Sequence, residues 1–305
     1  MGLNGQLVGV LAAFFASFSW ALAAILYRKS LMGFSDPWLS NGLRAGPTFL
    51  FLLLLAAVIG KIDEFCLSFS DLRVLGIVFA ATFIAIVVGD TFYLNALKNV
   101  GVSVVYPISY MYPVFVAFLA SVILREVVTF TLIVSLFLAS LGVWLVSYRA
   151  PEQKEPVGKK KLIVGVGSAL GAGICWANAI IIFRISVTFS DPIIVDALKS
   201  MFLLFVFLPV ILVKFREIRG SISRKIFTVL SVGGILGIGV GDWFLYISLS
   251  KIGAARATAL TTSAPLLSLL LAAIILKEKV SKRQVLGTIL IIVGVILVLM
   301  MEVLG

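Results

Sequence analysis

Histidine is absent from this sequence of 305 residues, and cysteine is scarce. Without an imidazole the chain cannot build a Ser-His-Asp or Cys-His catalytic site, a histidine-ligated metal site or a histidine proton relay. The two cysteines, Cys66 and Cys175, lie 109 positions apart, which matches no metal or redox motif, so we expect two unpaired thiols. These absences exclude much of the common enzyme chemistry.

Charged residues are also rare, at 13% of the chain, whereas 61% of the residues are hydrophobic. A soluble domain has about 25% charged and about 45–50% apolar residues. The composition therefore predicts a membrane protein. Its net charge of +11 indicates Lys and Arg collected in cytoplasmic loops, because no aromatic residues interleave with the basic clusters as nucleic-acid binding would require.

Ten apolar runs are long enough to cross a bilayer as helices, which takes about 20 residues each. Backbone polar groups in lipid must be bonded within their own segment, so the predicted fold class is an all-α membrane protein with ten transmembrane helices. A polar, basic stretch at 149–161 separates domains 1–148 and 162–305 and reads as a solvated linker. The predicted spans are residues 6–27, 37–60, 72–95, 102–124, 128–148, 162–183, 192–214, 226–249, 254–276 and 283–303.

The two halves of the chain match each other at a fixed offset. Positions 89–147 and 241–299 share 17 identities without a gap, at an offset of 152. A fixed offset indicates internal duplication. Because each half contains an odd number of spans, the second half is predicted to enter the membrane inverted. The matched pairs include Gly89 and Gly241, Asp90 and Asp242, Gly101 and Gly253, Pro113 and Pro265, Glu126 and Glu278, and Gly142 and Gly294.

This pattern resembles the EamA-type members of the drug/metabolite transporter superfamily. The resemblance covers essentially the whole chain and rests on the two Gly-Asp pairs, the matched prolines and glycines, and the helix ends Leu124-Arg125-Glu126 and Leu276-Lys277-Glu278. It implies a ten-helix carrier built from two five-helix repeats. Such carriers move small metabolites, amino acids or drugs, often outward, and the motifs do not identify the substrate.

Lys and Arg residues outside the spans are divided unequally between the two faces of the predicted bundle. Six lie on the face that bears both termini, and seventeen lie on the face of the 149–161 linker. Since loops rich in Lys and Arg stay in the cytoplasm, both termini are predicted to lie outside the cell. The linker is then cytoplasmic, in a multi-pass protein of the cell (plasma) membrane.

Four ionisable residues inside the spans are candidates for binding or gating, because charge inside a bilayer is costly and usually functional. Arg44 and Asp90 are predicted to form a pair toward the cytoplasm. Lys199, which matches Arg44 in the repeat, is predicted to pair with Asp242 toward the outside. The structural alternative is that Arg44 and Lys199 extend to the interface, that Asp90 bonds backbone at a helix end, and that Lys199 pairs with Asp196 on its own helix.

A polar and aromatic stripe in the fourth span, partly repeated in the ninth, is predicted to line a cavity. The stripe residues are Ser103, Tyr106, Tyr110 and Pro113 in the first half, and Thr258, Thr262 and Pro265 in the second. Their spacing places them on one helical face. Alternatively, the hydroxyls bond neighbouring helices or their own backbone. Trp20, Trp176 and Asn178 are weaker candidates, since a Trp near a span end is more often an interface anchor.

Two acidic residues in helix connections are assigned to structure. Glu126 and its match Glu278 are expected to cap helices or to pair with a neighbouring Lys.

The function predicted from these features is secondary transport, by alternating access, of a small polar or amphipathic metabolite through a site between the two repeats. The metabolite is expected to be amino-acid-like or drug-like, and export is the expected direction. The protein is not expected to be an enzyme, since the sequence has neither a Walker motif nor clustered carboxylates. The alternative is a flippase for an amphipathic lipid-linked substrate.

The expected partners are the lipid bilayer and a small-molecule substrate, with no nucleic acid, cofactor or metal. Transport is expected either to be coupled to protons through Asp90 or Asp242, or to be an uncoupled exchange. The expected assembly is a monomer or a homodimer.

Overall fold

The computed structural model describes residues 3–31, 37–100, 105, 108–109, 111–147, 158–214, 223–275 and 280–304. Every regular element in these residues is helical. The first half contains α1 (Leu3–Leu31), α2 (Pro37–Val58), α3 (Ile62–Ser68), α4 (Leu72–Thr82), a π-helical segment π1 (Phe83–Gly89), α5 (Asp90–Val100), α6 (Tyr112–Ile123) and α7 (Phe130–Ser147). The second half contains α8 (Lys159–Ser186), α9 (Pro192–Val213), α10 (Arg224–Gly234), π2 (Ile235–Gly241), α11 (Asp242–Ile252), α12 (Ala254–Thr261), α13 (Ala264–Ile275) and α14 (Lys282–Leu304).

Eight helical segments in the described residues are long and apolar enough to cross a bilayer. They are Asn4–Leu26, Asn41–Val58, Leu72–Ala96, Lys159–Ser186, Pro192–Val213, Arg224–Ile252, Ala254–Ile275 and Lys282–Met300. Two further apolar helices, Tyr112–Ile123 and Phe130–Val146, are shorter. Large apolar side chains such as Leu54, Phe118 and Val213 are exposed, as expected for a surface that faces lipid. The all-helical prediction is confirmed for the described residues, while the number of ten spans stays a prediction.

The helical spans are interrupted at matched positions of the two halves. π1 and π2 are seven residues long, and each precedes an aspartate, Asp90 and Asp242, at the 152-residue offset. A second pair of interruptions lies at Met111, before α6, and at 262–263, between α12 and α13. Proline is the second residue of both downstream helices, at Pro113 and Pro265, and it has no N–H to bond the carbonyl four residues earlier.

The helices α7 and α14 pack closely through small residues. A Cβ atom on Gly142 would lie 2.6 Å from the Gly287 carbonyl oxygen, and a Cβ atom on Gly287 would lie 2.6 Å from the Gly142 carbonyl oxygen. Gly294 approaches the Ser135 carbonyl oxygen in the same way, at 2.8 Å. Small residues at such contacts let two membrane helices approach along their backbones.

Substitution of Gly142 by leucine is expected to lower the free energy of unfolding by roughly 1–3 kcal/mol, because the backbone of α14 blocks the new side chain. The matched control is Gly76→Leu on α4, since a Cβ atom at Gly76 has no heavy atom within 4 Å. Thermal unfolding of both variants in detergent checks the prediction. Equal unfolding temperatures would show that the two helices do not depend on this contact.

Glu126 caps a helix of the opposite half. Its Oε1 accepts the backbone N–H of Ala254 at 2.8 Å, and its Oε2 accepts the backbone N–H of Ala255 at 3.0 Å. The carboxylate lies against Gly253, whose φ of 84° is in the left-handed region and leaves the space a Cβ atom would fill. The expected capping role is therefore confirmed for Glu126. Its match, Glu278, lies outside the described residues.

Candidate functional site

A cavity of about 430 Å³ lies between the two halves. Its wall includes residues of three helix interruptions, π1, π2 and 262–263, and the first two residues of α6, which follow the interruption at Met111. The first half supplies Trp20, Ala24, Ala85, Tyr112, Pro113 and Val143. The second half supplies Trp176, Ala179, Ile180, Phe183, Ile238, Asp242, Leu245, Tyr246, Thr261, Thr262, Ala264, Pro265 and Ser268. The cavity is thus mainly apolar and aromatic, with hydroxyls and one carboxylate in its wall.

A tryptophan of the first half binds the aspartate of the second half. The indole Nε1 of Trp20 donates to Asp242 Oδ1 at 2.9 Å. Gly241 makes this contact possible, because a Cβ atom there would lie 2.5 Å from both Cδ1 and Nε1 of Trp20. The Gly-Asp pair therefore has two physical roles, since the glycine leaves space for the indole ring and the aspartate accepts the hydrogen bond from its N–H.

The reciprocal contact joins Trp176 of the second half to Asp90 of the first. The indole Nε1 of Trp176 donates to Asp90 Oδ1 at 3.1 Å. A Cβ atom on Gly89 would lie 3.0 Å from Cδ1 and 3.1 Å from Nε1 of Trp176. Cys175, a free thiol, packs beside it, and Cys66 is likewise free and exposed, as expected from the sequence.

Lys199 contacts three oxygen atoms in the interior beside the cavity. Its Nζ donates to Asp242 Oδ2 at 2.5 Å and to the carbonyl oxygen of Ile238, in π2, at 2.7 Å. Asp196 Oδ1 lies 2.5 Å from the same Nζ. We call Asp196, Lys199 and Asp242 the charge triad. The predicted contact with Asp242 and the alternative contact with Asp196 therefore occur together, and the functional role of Lys199 stays a prediction.

The π-helical segment π2 exposes backbone oxygens to side chains of other helices. A π-helix shifts the backbone bonding from the fourth to the fifth preceding residue and is often found at functional sites. In π2, the Ile238 carbonyl accepts from Lys199, and the Leu236 carbonyl accepts from the Ser19 hydroxyl at 2.6 Å. The irregular backbone thus supplies acceptors that a regular α-helix would use internally.

Arg44 lies on α2, where Gly234 of α10 packs against its backbone and Cβ atom. Its guanidinium donates to Asn41 Oδ1 on the same helix. The guanidinium is also within electrostatic range of the Asp90 carboxylate. The predicted gating role of Arg44 and Asp90 stays a prediction.

The structure divides the remaining candidates. Pro113, Thr262 and Pro265 line the cavity. Thr258 is fully buried and donates to the Ala254 carbonyl of its own helix at 2.8 Å, and the wall described here does not include it. Asn178 bonds the Ile174 carbonyl of its own helix at 2.8 Å. Ser103, Tyr106 and Tyr110 lie outside the described residues.

Sequence reasoning missed several aromatic wall residues. Tyr112, Phe183 and Tyr246 line the cavity but are ordinary apolar residues of a membrane helix in the sequence. Tyr112 had one available signal, because it precedes the matched Pro113. Trp20 and Trp176, the weaker candidates from the sequence, both line the cavity, and their repetition at an offset of 156 is the signal that they share.

A bundle of apolar helices with irregular backbone around a cavity between two matched halves defines a membrane transporter. The model of the EamA-like transporter family matches residues 7–148 and again residues 163–300. This chain therefore belongs to the EamA-like transporter family, as its sequence resemblance indicated.

Two further comparisons show what the chain is similar to. The chain is similar to an uncharacterized transporter of Archaeoglobus fulgidus, with 27% identity over 294 residues that cover 95% of this chain and 98% of that protein. A crystal structure of a protein with 16% identity superposes with a TM-score of 0.77, over 96% of this chain and 97% of that chain. At this identity the structural likeness shows the fold alone.

Proposed function

We propose that this transporter is a secondary carrier that exports a small polar or amphipathic metabolite, amino-acid-like or drug-like, by alternating access. The observation that carries the proposal is that π1, π2, the interruption at 262–263 and the start of α6 all meet at one cavity. Irregular backbone is tolerated at membrane depth where it lines a cavity or is buried in protein, and carriers use such helices to bind substrate. A volume of about 430 Å³ suits a small molecule.

The proposed architecture is ten spans in two inverted five-helix repeats, 1–148 and 162–305, joined by the linker 149–161. Reciprocal contacts support a two-fold relation between the halves, because Trp20 bonds Asp242 while Trp176 bonds Asp90. The odd number of proposed spans in each half makes this relation an inversion.

The proposed topology places both termini outside the plasma membrane and the linker in the cytoplasm. One small cavity is lined by Gln6, which is near the amino terminus, and by Arg184, Lys251 and Arg256. This grouping supports the assignment of all four residues to the face that bears the termini.

The two reciprocal Trp-Asp bonds are the proposed contacts that change during transport. Each bond joins one half to the other, and the two aspartates are predicted to lie toward opposite faces of the membrane. Rocking of the halves therefore breaks one bond while the other stays intact. If transport is coupled to protons, Asp90 or Asp242 binds the proton, because these are the carboxylates that accept the two indole hydrogen bonds.

One chain supplies both halves of the cavity wall, so a monomer contains a complete site.

Counterflow in liposomes tests the carrier proposal. The purified protein is reconstituted, and vesicles are loaded in turn with amino acids, nucleosides, organic cations and phosphorylated metabolites. Uptake of labelled solute that requires the same solute inside establishes a carrier. Scrambling of a labelled lipid without exchange of any solute would overturn the carrier proposal and favour the flippase.

Substitution of Ala24 by tryptophan is expected to block the cavity that its side chain lines. Counterflow should fall to about a tenth or less, since a tenfold loss needs only about 1.4 kcal/mol of lost binding. The control is Ala57→Trp, at an exposed position near the end of α2 and away from the cavity. Equal loss of counterflow in both variants would show that this cavity is not the transport site.

A further inference from the structure

A second cavity, which we call the basic cavity, lies beside the cap that Glu126 forms on α12. Its volume is about 240 Å³, and it shares no described wall residue with the cavity of about 430 Å³. The polar and charged side chains of its wall are Gln6, Glu126, Arg184, Lys251 and Arg256. Three of these side chains are cationic and one is anionic, so the described wall is positively charged.

The carboxylate in this wall does not satisfy the nearest cation. Both oxygens of Glu126 accept backbone N–H groups of α12, from Ala254 and Ala255. Arg184 Nε lies 3.8 Å from Glu126 Oε1, which is too far for a hydrogen bond. The same Nε is buried and has no hydrogen-bond partner among the described residues. A buried donor without an acceptor is costly, so Arg184 favours a further acceptor in the cavity.

A sharp turn brings two more cations to the same wall. Lys251 is in the last turn of α11 and Arg256 is in the first turn of α12, and Gly253 lies between the two helices with a φ of 84°. The side chain of Lys251 is exposed, and that of Arg256 is half-buried. An anion in the basic cavity is therefore reached by three cationic side chains from three helices, α8, α11 and α12.

A phosphate monoester has the chemistry that this wall recognises. It has three terminal oxygens and nearly two negative charges at neutral pH. A guanidinium group binds two such oxygens in parallel, while an ammonium group acts as a compact point charge. The volume of about 240 Å³ is below the range of about 300–1,000 Å³ typical of pockets for whole small molecules, so it suits one charged group of a larger ligand.

An apolar groove begins next to the basic cavity. Val127 lines the cavity, and the next residue, Val128, lines the groove, whose volume is about 590 Å³. The groove runs between α6 and α7 and includes the exposed rings of Phe118 and Phe137. A lipid chain in this groove would have its polar end at the connection between α6 and α7, where the basic cavity lies.

We propose that the basic cavity binds one phosphate monoester group, held by Arg184, Lys251 and Arg256. Two sources carry this group: a phospholipid whose chain occupies the apolar groove, and a phosphate dissolved in water. Because the basic cavity is separate from the cavity of about 430 Å³, this ligand is distinct from the transported solute.

Native mass spectrometry of the purified full chain in detergent measures lipid binding. The probes are phosphatidic acid, a monoester, phosphatidylglycerol, an anionic diester, and phosphatidylcholine, which is neutral overall. At about pH 8 the monoester has two negative charges. One phosphatidic acid should bind per chain, about tenfold more tightly than either of the other lipids, because the third oxygen adds a charge-assisted hydrogen bond. Calorimetric titration with inorganic phosphate measures the dissolved source.

Two variants and one control test the residues. Arg184→Gln and Lys251→Gln should each weaken binding of phosphatidic acid about tenfold, since each removes one charge-assisted hydrogen bond. Lys251 is exposed, so Lys251→Gln should unfold at the temperature of the unmodified protein and separates lost binding from lost folding. The control is Lys160→Gln, an exposed position at the opposite end of the helix that bears Arg184, and it should bind as the unmodified protein.

The outcomes distinguish the two sources. Binding of phosphatidic acid that Lys251→Gln weakens supports the site and assigns it to a lipid. Binding of inorganic phosphate that Lys251→Gln weakens, without binding of phosphatidic acid, supports the site and assigns it to a dissolved phosphate. Equal affinities for phosphatidic acid and phosphatidylglycerol, equal binding by Lys251→Gln and Lys160→Gln, or no binding of either monoester source would overturn the proposal.

Discussion

Replacement of Lys199 by methionine is expected to abolish transport and to destabilise the protein by about 3–5 kcal/mol, the cost of removing one partner of a buried ion pair. The substitution leaves Asp196 and Asp242 next to each other without a countercharge, and it removes the donor that holds the Ile238 carbonyl of π2. Counterflow and thermal unfolding in detergent measure the two effects. The control is Lys61→Met, because Lys61 pairs with Glu64 and Asp191 at the surface.

A second substitution tests the electrostatic cause. Adding Asp196→Asn to Lys199→Met returns the site to a net charge of −1, so the double variant should unfold at a higher temperature than Lys199→Met alone. Adding Asp63→Asn to Lys199→Met should bring no such gain, since Asp63 is exposed on α3. An unfolding temperature of Lys199→Met equal to that of the unmodified protein would show that the triad is not energetically coupled.

Substitution of Gly241 by valine is expected to reduce counterflow at least tenfold. The new side chain occupies the space of the Trp20 indole, because even its Cβ atom would lie 2.5 Å from the ring, and the bond from Trp20 to Asp242 is then lost. The matched control is Gly167→Val on α8, where a Cβ atom has no heavy atom within 4 Å. This control also introduces valine into a helix, so it corrects for helix propensity.

The reciprocal site predicts a ranking. Gly89→Ala should reduce counterflow less than Gly241→Ala, because the nearest atom of Trp176 lies 3.0 Å from a Cβ atom at Gly89, against 2.5 Å for Trp20 at Gly241. Equal counterflow in Gly241→Val and Gly167→Val would show that the indole contact has no part in transport.

The charge triad shows how far a sequence can predict a site. The repeat offset and the odd number of spans placed Lys199 and Asp242 toward one side, and the structure shows them in contact. Helical spacing makes Asp196 an alternative partner of Lys199, because the two residues are one turn apart on the same helix. Sequence alone treats these two contacts as competing. The structure shows both contacts, because Lys199 Nζ donates to Asp242 and to the Ile238 carbonyl of π2 and forms an ion pair with Asp196.

The partners in the two Trp-Asp contacts, in contrast, cannot be predicted from the sequence. Both tryptophans and both Gly-Asp pairs are visible as repeated residues, but which tryptophan meets which aspartate depends on how the halves pack. Their contact crosses from one half to the other, over 222 positions for Trp20 and 86 for Trp176. Helical periodicity acts over a few residues, so it contains no information about such partners.

The membrane environment, the helical class and the family of this protein all follow from the sequence, because hydrophobicity, helix length and duplication are properties of the chain read in order. The sequence also marked the scarce charges inside the spans, since any such charge must be held by a partner. Three features need the folded structure: which matched residues meet, where the helices shift to π geometry, and which aromatic side chains line the cavity. Those features arise from packing between segments that are distant in the sequence. Gly241 and Gly89, for example, leave the space that an indole ring occupies because they have no Cβ atom.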